Sequence, residues 1–277
     1  MPVISRRVAL RTLATIAAGT ATGALAHGYL WERHALQLVR TELPVAGLAP
    51  EFDGLRIGFV TDLHLSEFVP PEDIERALAL IAGEAPELLV LGGDYVSYQD
   101  TAYVEPVAEL LSAAHAPLGV IAILGNHDDD RVVPAALSRR GITVLRDART
   151  RLTRRGGSLE IAGLRFWTKT RNELAEVISG ARGPILLLAH DPRRVIEARA
   201  LGIPAVLSGH THGGQIVLPV VGALAARKFP VAAGRLSTKG TELYVSAGVG
   251  TVILPVRINC PPEVALVTLR RMPDLES

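Results

Sequence analysis

Five short apolar runs, each ending in a polar cluster, constrain this chain more than any other feature. Ile57 to Val60 leads into Asp62 and His64, and Leu88 to Leu91 into Gly92, Gly93 and Asp94. Val120 to Leu124 leads into Gly125, Asn126, His127 and Asp128, Ile185 to Ala189 into His190, and Ala205 to Leu207 into Gly209, His210, Thr211 and His212. Runs this short and rich in branched residues read as buried strands. In open α/β sheets ligands gather beyond the carboxyl ends of strands, so the five clusters are expected to meet in space.

Taken singly, an Asp or His after a strand is ordinarily a turn former or helix cap, and Asp-x-His alone says little. Turn chemistry gives no reason for five histidines and an asparagine at five strand ends. Carboxylates and imidazoles together suit borderline divalent ions such as Mn, Fe, Zn or Co. An all-oxygen set would favour Mg or Ca, and thiolates would favour structural zinc. The only cysteine, Cys260, stands far along the chain. In Asp62 to His64, alternate residues of an extended segment point the same way, so both side chains are expected to reach one ion. His210 and His212 share that spacing but can turn to different ions.

In this order the motifs D-x-H, G-G-D, G-N-H-D, a later lone histidine and G-H-T-H resemble those of the calcineurin-like metallophosphoesterases, over a stretch from about Leu55 to Leu269. The longer stretches from Gly209 to Gln215 and from Arg257 to Glu263 resemble the bacterial exported or membrane-associated phosphodiesterase branch. The resemblance implies an α/β fold of two packed mixed β-sheets flanked by helices. It implies that Asp62, His64 and His212 hold a first metal ion and Asn126, His190 and His210 a second, with Asp94 bridging them. His127 would stand near the leaving group, as an imidazolium that stabilises charge or gives a proton, with Asp128 beside it as orienting partner. Where many relatives carry a second aspartate three residues after the G-D motif, this chain has Ser97.

Two ions about 3.5–4 Å apart can lower the pKa of a shared water and neutralise both oxygens of an in-line displacement. The expected function is therefore metal-dependent hydrolysis of a phosphodiester or pyrophosphate by a bridging hydroxide, without a covalent enzyme intermediate. The alternatives are hydrolysis of a glycolipid or nucleotide pyrophosphate, or a scaffold that kept the fold and lost catalysis; intact residues at all seven metal positions argue against the scaffold.

The 277 residues are 48% hydrophobic, enough to bury one full core. A net charge of +1 gives no case for nucleic acid as a partner, and one cysteine excludes an internal disulfide framework. Residues 1–30 stand apart. Ser5 to Arg11 resembles the twin-arginine export motif, with Ala9 where phenylalanine is usual, and an apolar stretch from Leu13 to Ala26 follows. Ala24 to Ala26 offers a small-x-small cleavage site, and the uncharged Thr12 to Trp31 is near the lower limit for spanning a bilayer. The segment reads as a signal or membrane anchor. It implies the twin-arginine export machinery as a partner, an extracytoplasmic or membrane-anchored location, and a substrate that includes lipid-linked phosphoesters in its range. An ordinary amphipathic helix is the alternative.

Residues 31–54 read as an edge strand or linker, with Glu42 to Pro50 as its core, and residues 55–272 as the catalytic domain. Ile74, Leu78 and Ile81 behind Pro70 and Pro71 predict a helix, as do Val107, Leu110, Leu111 and Ala114 before Pro117. Arg131 to Arg140, Asn172 to Ser179 and Pro192 to Leu201 predict three more, the last capped by Asp191. Ile142 to Leu145, Arg151 to Thr153, Leu159 to Ile161, Leu164 to Trp167, Val245 to Ser246, Val252 to Leu254 and Val264 to Leu269 predict strands, with Gly156 and Gly157 as a hairpin turn. The arginines at 146, 149, 151, 154 and 155 read as a solvated face, with contact to anionic lipid as the functional alternative.

Overall fold

The computed structural model describes residues 5–272; the first four residues of the expected leader lie outside them. Two six-stranded mixed sheets pack face to face, with helices on both outer sides. The first sheet runs β1 (Gln37–Val45), β14 (Glu263–Arg271), β2 (Arg56–Val60), β3 (Leu88–Leu91), β4 (Val120–Ala122), β5 (Thr143–Val144). The second runs β12 (Gly234–Thr238), β13 (Thr241–Val245), β9 (Ala205–Ser208), β8 (Ile185–Leu188), β7 (Gly157–Gly163), β6 (Ala148–Arg154). A two-stranded ribbon, β10 (Val217–Leu218) and β11 (Gly222–Ala223), stands apart from both.

The period of two along each strand builds the sandwich. Ile57 and Phe59 of β2, Leu88 and Val90 of β3, and Ile121 of β4 point inward. They meet Leu186 and Leu188 of β8, Ala205 and Leu207 of β9, and Tyr244 of β13. The alternate residues point outward. Val60, Leu89, Leu91 and Ala122 pack under α2 (Pro71–Gly83), α3 (Val104–Leu111) and α4 (Val132–Ser138). On the opposite side Leu187, Val206 and Leu243 pack under α5 (Arg171–Ile178) and α6 (Val195–Ala200). Both faces of the central strands are thus apolar, which explains the continuous runs in the sequence. β2, β3 and β4 run parallel, as do β8 and β9, so the five expected strand ends point to one end of the sandwich.

Several expectations change. The edge strand starts at Gln37 and pairs with β14 in parallel through Val45, ending before Gly47, which turns the chain with a positive φ. Leu164 to Trp167 is a turn rather than a strand, because Leu164 bonds back to Leu188 and the chain then leaves the sheet. Val252 to Leu254 forms bends, with Ile253 at φ 66°. The β6–β7 hairpin turns at Arg155 and Gly156 instead of Gly156 and Gly157; both central residues have positive φ, as this tight turn requires. The arginine run finds partners within the fold: Arg149 and Arg151 pair with Glu160, Arg146 with Asp130 and Arg154 with Glu87.

α1 (Arg6–Leu30) precedes the sandwich, capped by the Ser5 hydroxyl, which accepts from the Val8 N–H. At 1.5 Å per residue it is about 37 Å long. It is long and apolar enough to cross a membrane. It meets the folded body at Gly28, where a Cβ would strike the Arg257 carbonyl and the Val256 and Ile258 side chains.

Candidate metal centre

At the end of the sandwich to which the five strands point, the loops bend sharply. Asp62, His64, Asp94, His210 and His212 all have φ between 50° and 72°, a region costly for residues other than glycine and common where function dictates a geometry. The segment from Asp62 to His64 is therefore not extended, yet both side chains still serve one cluster. Gly125 and Gly248 are required by crowding, since a Cβ on either would collide with Asp94 or Asp62 respectively.

Two groups of side chains result. In one, the potential ligand atoms of Asp62, His64 and His212 lie within 4.8 Å of one another; in the other, so do those of Asp94, His190 and His210. Asp94 Oδ2 is 3.5 Å from His64 Nε2 and 3.1 Å from His190 Nε2, so one carboxylate faces both groups. Asp62 Oδ1 lies 3.4 Å from His212 Nε2 and 3.9 Å from His190 Nε2. Asn126 follows Gly125 at the edge, its buried Oδ1 without a hydrogen-bond partner.

The donor set fits a pair of divalent cations. His64 Nε2 and His212 Nε2 approach to 3.1 Å beside the two carboxylates. His190 Nδ1 donates to the Gly92 carbonyl at 2.8 Å, which fixes the ring so that Nε2 faces Asp94 Oδ2 at 3.1 Å. Burial lowers the His64 pKa to about 4 and that of His210 to about 3, and drives His212 well below its ordinary value. Burial raises Asp62 to about 6. Burial would lower His190 too, but the Asp94 and Asp62 carboxylates outweigh it and raise the group to about 10. Asp94, despite the opposing effect of burial, is held far below the usual carboxylate range by His190. Positive charge is thus favoured between the carboxylates, while the flanking imidazoles stay neutral and able to ligate.

His127 and Asp128 are not a hydrogen-bonded pair. The Asp128 carboxylate accepts the backbone N–H groups of Asp94, Tyr95 and Gly125 at 2.7–2.8 Å. It ties the loop after β3 to the loop after β4. Burial and the Asp94 charge push its pKa up to about 7, against those N–H bonds. The His127 ring is oriented instead by the Tyr98 N–H, which donates to Nδ1 at 2.9 Å. An imidazolium has no lone pair there, so His127 is neutral with its proton on Nε2, in accord with burial lowering its pKa.

Other participants surround the two groups. The Ser97 hydroxyl lies 3.2 Å from His64 Nδ1. Arg257, fully buried and without a carboxylate partner among the described residues, donates to the carbonyls of Ala247, Gly248, Gly250 and Cys260. It braces the loop whose Gly250 N–H reaches the Asp62 carbonyl at 2.7 Å. Phe166 and Phe229 flank the His210 ring, with centroids 5.3 and 5.2 Å away.

Comparison with known proteins agrees with this geometry. The family described as Calcineurin-like phosphoesterase matches residues 55–214. The chain is 30% identical to the Uncharacterized metallophosphoesterase YkuE of Bacillus subtilis, over 98% of this chain and 99% of that one. It is 32% identical to Phosphodiesterase YaeI of Escherichia coli, over 96% of this chain and 100% of that one. It is 23% identical to UDP-2,3-diacylglucosamine pyrophosphatase LpxG of Chlamydia trachomatis, over 86% of this chain and 92% of that one.

Proposed function

The chain belongs to the calcineurin-like phosphoesterase family, and on that premise we propose that it hydrolyses phosphodiester or pyrophosphate bonds, lipid-linked ones included, at a dinuclear centre. Asp62, His64 and His212 hold one ion; Asn126, His190 and His210 hold the other; Asp94 is shared. The observation that carries the reading is the 3.1 Å approach of His64 Nε2 to His212 Nε2 beside Asp62 and Asp94. Two imidazole nitrogens and two carboxylates turned into one gap form a donor set that suits a cation. Bound there, two divalent ions supply Lewis acidity to phosphoryl oxygens and lower the pKa of a water.

The chain's own residues do the rest. His127 presents its Nε2 proton to the leaving oxygen and offsets the charge that develops there, its ring held by the Tyr98 N–H. Asp128 keeps the Asp94 and Asn126 loops in register by three backbone bonds. Phe166 and Phe229 exclude water on the His210 side. α1 acts as a twin-arginine signal or as the anchor that holds residues 55–272 at the extracytoplasmic face of a membrane.

The test is hydrolysis of bis(p-nitrophenyl) phosphate by the purified chain. Activity disappears on chelation and returns with divalent transition metal, Mn above all. Full turnover by protein verified as free of metal defeats the mechanism. For location, Arg6 and Arg7 are both replaced by lysine: active precursor then stays in the cytosol while wild type leaves it. Equal cytosolic amounts of both proteins remove the export assignment.

A further inference from the structure

A groove of about 410 Å³ opens from His210 and His212 toward the surface, walled by Leu218, Leu224, Phe229, Val252, Ile253 and Leu254. Its two lips are unusual in composition. One is the tip of the β10–β11 ribbon, Pro219 to Val221, an apolar turn where polar residues are the rule. The other is the bend from Val252 to Leu254. Each lip holds a β-branched residue in the left-handed region, Val220 at φ 68° and Ile253 at φ 66°, a conformation such residues avoid. Both side chains project into solvent, Val220 fully and Ile253 at 80% exposure, so the strain serves to display apolar surface and buries nothing.

The lips are also continuous with the seat of α1. The Gln215 side chain donates to the Val252 and Leu254 carbonyls and accepts the Val252 N–H, joining the ribbon to the bend. The Val217 N–H donates to the Ile258 carbonyl at 2.8 Å, and Ile258 packs against Gly28 of α1. The apolar helix, both apolar lips and the mouth of the metal centre are therefore joined by one short set of contacts. Lys228 stands at the rim as a cation beside Phe229.

We propose that this groove is the seat of an acyl chain, and that the substrate is a lipid phosphoester whose phosphoryl group reaches His210 and His212 while its chain lies between the two lips. The proposal rests on the hydrolase reading above and specifies the substrate class of the same site. The apolar lips enter the bilayer surface beside α1, and Lys228 faces the anionic headgroup. A phosphoester lipid then passes from the membrane to the centre without exposing its chain to water.

The experiment titrates the full chain, metal-loaded and in phosphatidylcholine nanodiscs, with alkyl phosphates from ethyl to octyl, in wild type and in Ile253→Asp and Leu224→Asp. Burial of each methylene in the groove tightens wild-type Kd by about fourfold, until the groove is filled. Both variants flatten the series, while their thermal unfolding stays cooperative and their metal content matches wild type; Leu224→Ala, which adds no charge, gives an intermediate slope and guards against misfolding. A slope that is flat in wild type, or that survives in both aspartate variants, overturns the proposal. So does a flat series accompanied by concentration-dependent dimerisation that Ile253→Asp abolishes, which would assign the groove to a second copy of the chain. Binding is read without turnover, so a preserved slope in a protein that hydrolyses no diester would sink the hydrolase reading alone.

Discussion

The two sheets bring unlike chemistry to the same place. The first, through the loops after β2, β3 and β4, supplies both carboxylates, Asp62 and Asp94, together with His64, Asn126 and His127. The second, through the loops after β8 and β9, supplies imidazoles only: His190, His210 and His212. Neither sheet carries a complete cluster. Asp62 and His64 need His212 from across the sandwich, and Asp94 needs His190 and His210. The centre is therefore a product of sheet packing, and an ion bound there ties the layers together as directly as the core between them does.

If the division holds, the shared carboxylate is the point of greatest sensitivity. Asp94→Asn is expected to cut kcat by more than about 10⁴, beyond what one acid–base group contributes, and to exceed the loss in His64→Ala. Metal content and kcat of the two variants check this, and a larger loss in His64→Ala breaks the argument for Asp94 as the link. His127 offers the contrast of a first-sheet residue that belongs to neither cluster. His127→Ala should lower kcat by about 10²–10⁴ on an alkyl diester, and by less on a nitrophenyl ester, with both metals retained. Equal losses on the two esters would make its role structural.

The packing side of the comparison is probed by Leu188→Ala, in β8 and fully buried between the sheets. It should cost about 2–5 kcal/mol of stability, with saturating Mn offsetting part of the loss in thermal denaturation. A loss that metal leaves untouched would show that the centre does not couple the layers. A smaller effect is expected at Ser97, whose hydroxyl orients His64. Ser97→Ala should weaken metal binding by about 10- to 100-fold in chelator competition, and Ser97→Asp should not.

A comparable effect lies far from the centre. Burial alone would raise the Glu160 pKa, but hydrogen bonds from Arg151 and Arg149 outweigh it and hold the carboxyl below its ordinary value. A lowered carboxyl pKa contributes stability that is full above the unfolded value of 4.5 and is lost as pH falls through the folded one. Glu160→Gln should therefore cost roughly 1–3 kcal/mol in urea denaturation at pH 7, and the gap to wild type should close as pH falls below about 4.5. A gap that widens in acid contradicts the ion-pair account.

Much of the fold was legible because local and global demands coincide. Runs such as Leu88 to Leu91 are apolar at every position, and only a strand covered on both faces asks for that. The errors fall where tertiary contacts override propensity. Val252 to Leu254 has the composition of a strand, but the Gln215 side chain takes its backbone bonds and bends it into a lip of the groove. Leu164 to Trp167 is similarly apolar, yet it turns to bring Phe166 over His210.

The sequence by itself determined which residues crowd the centre, because strand ends of parallel βα units must converge and the ordered motifs name what they carry. It also set the apolar stretch that follows Arg6 and Arg7 apart from the rest of the chain. The resemblance already implied how the residues divide, and only the tertiary structure decided the geometry by which they do so. It brought His212 to Asp62 and His64 and set Asp94 between the clusters. It also gave Asp128 to three backbone N–H groups and left His127 to the Tyr98 N–H. These are matters of backbone direction at single residues held at positive φ, and such directions are set by contacts between segments far apart in the chain, as when Gly248 and Gly209 close on Asp62.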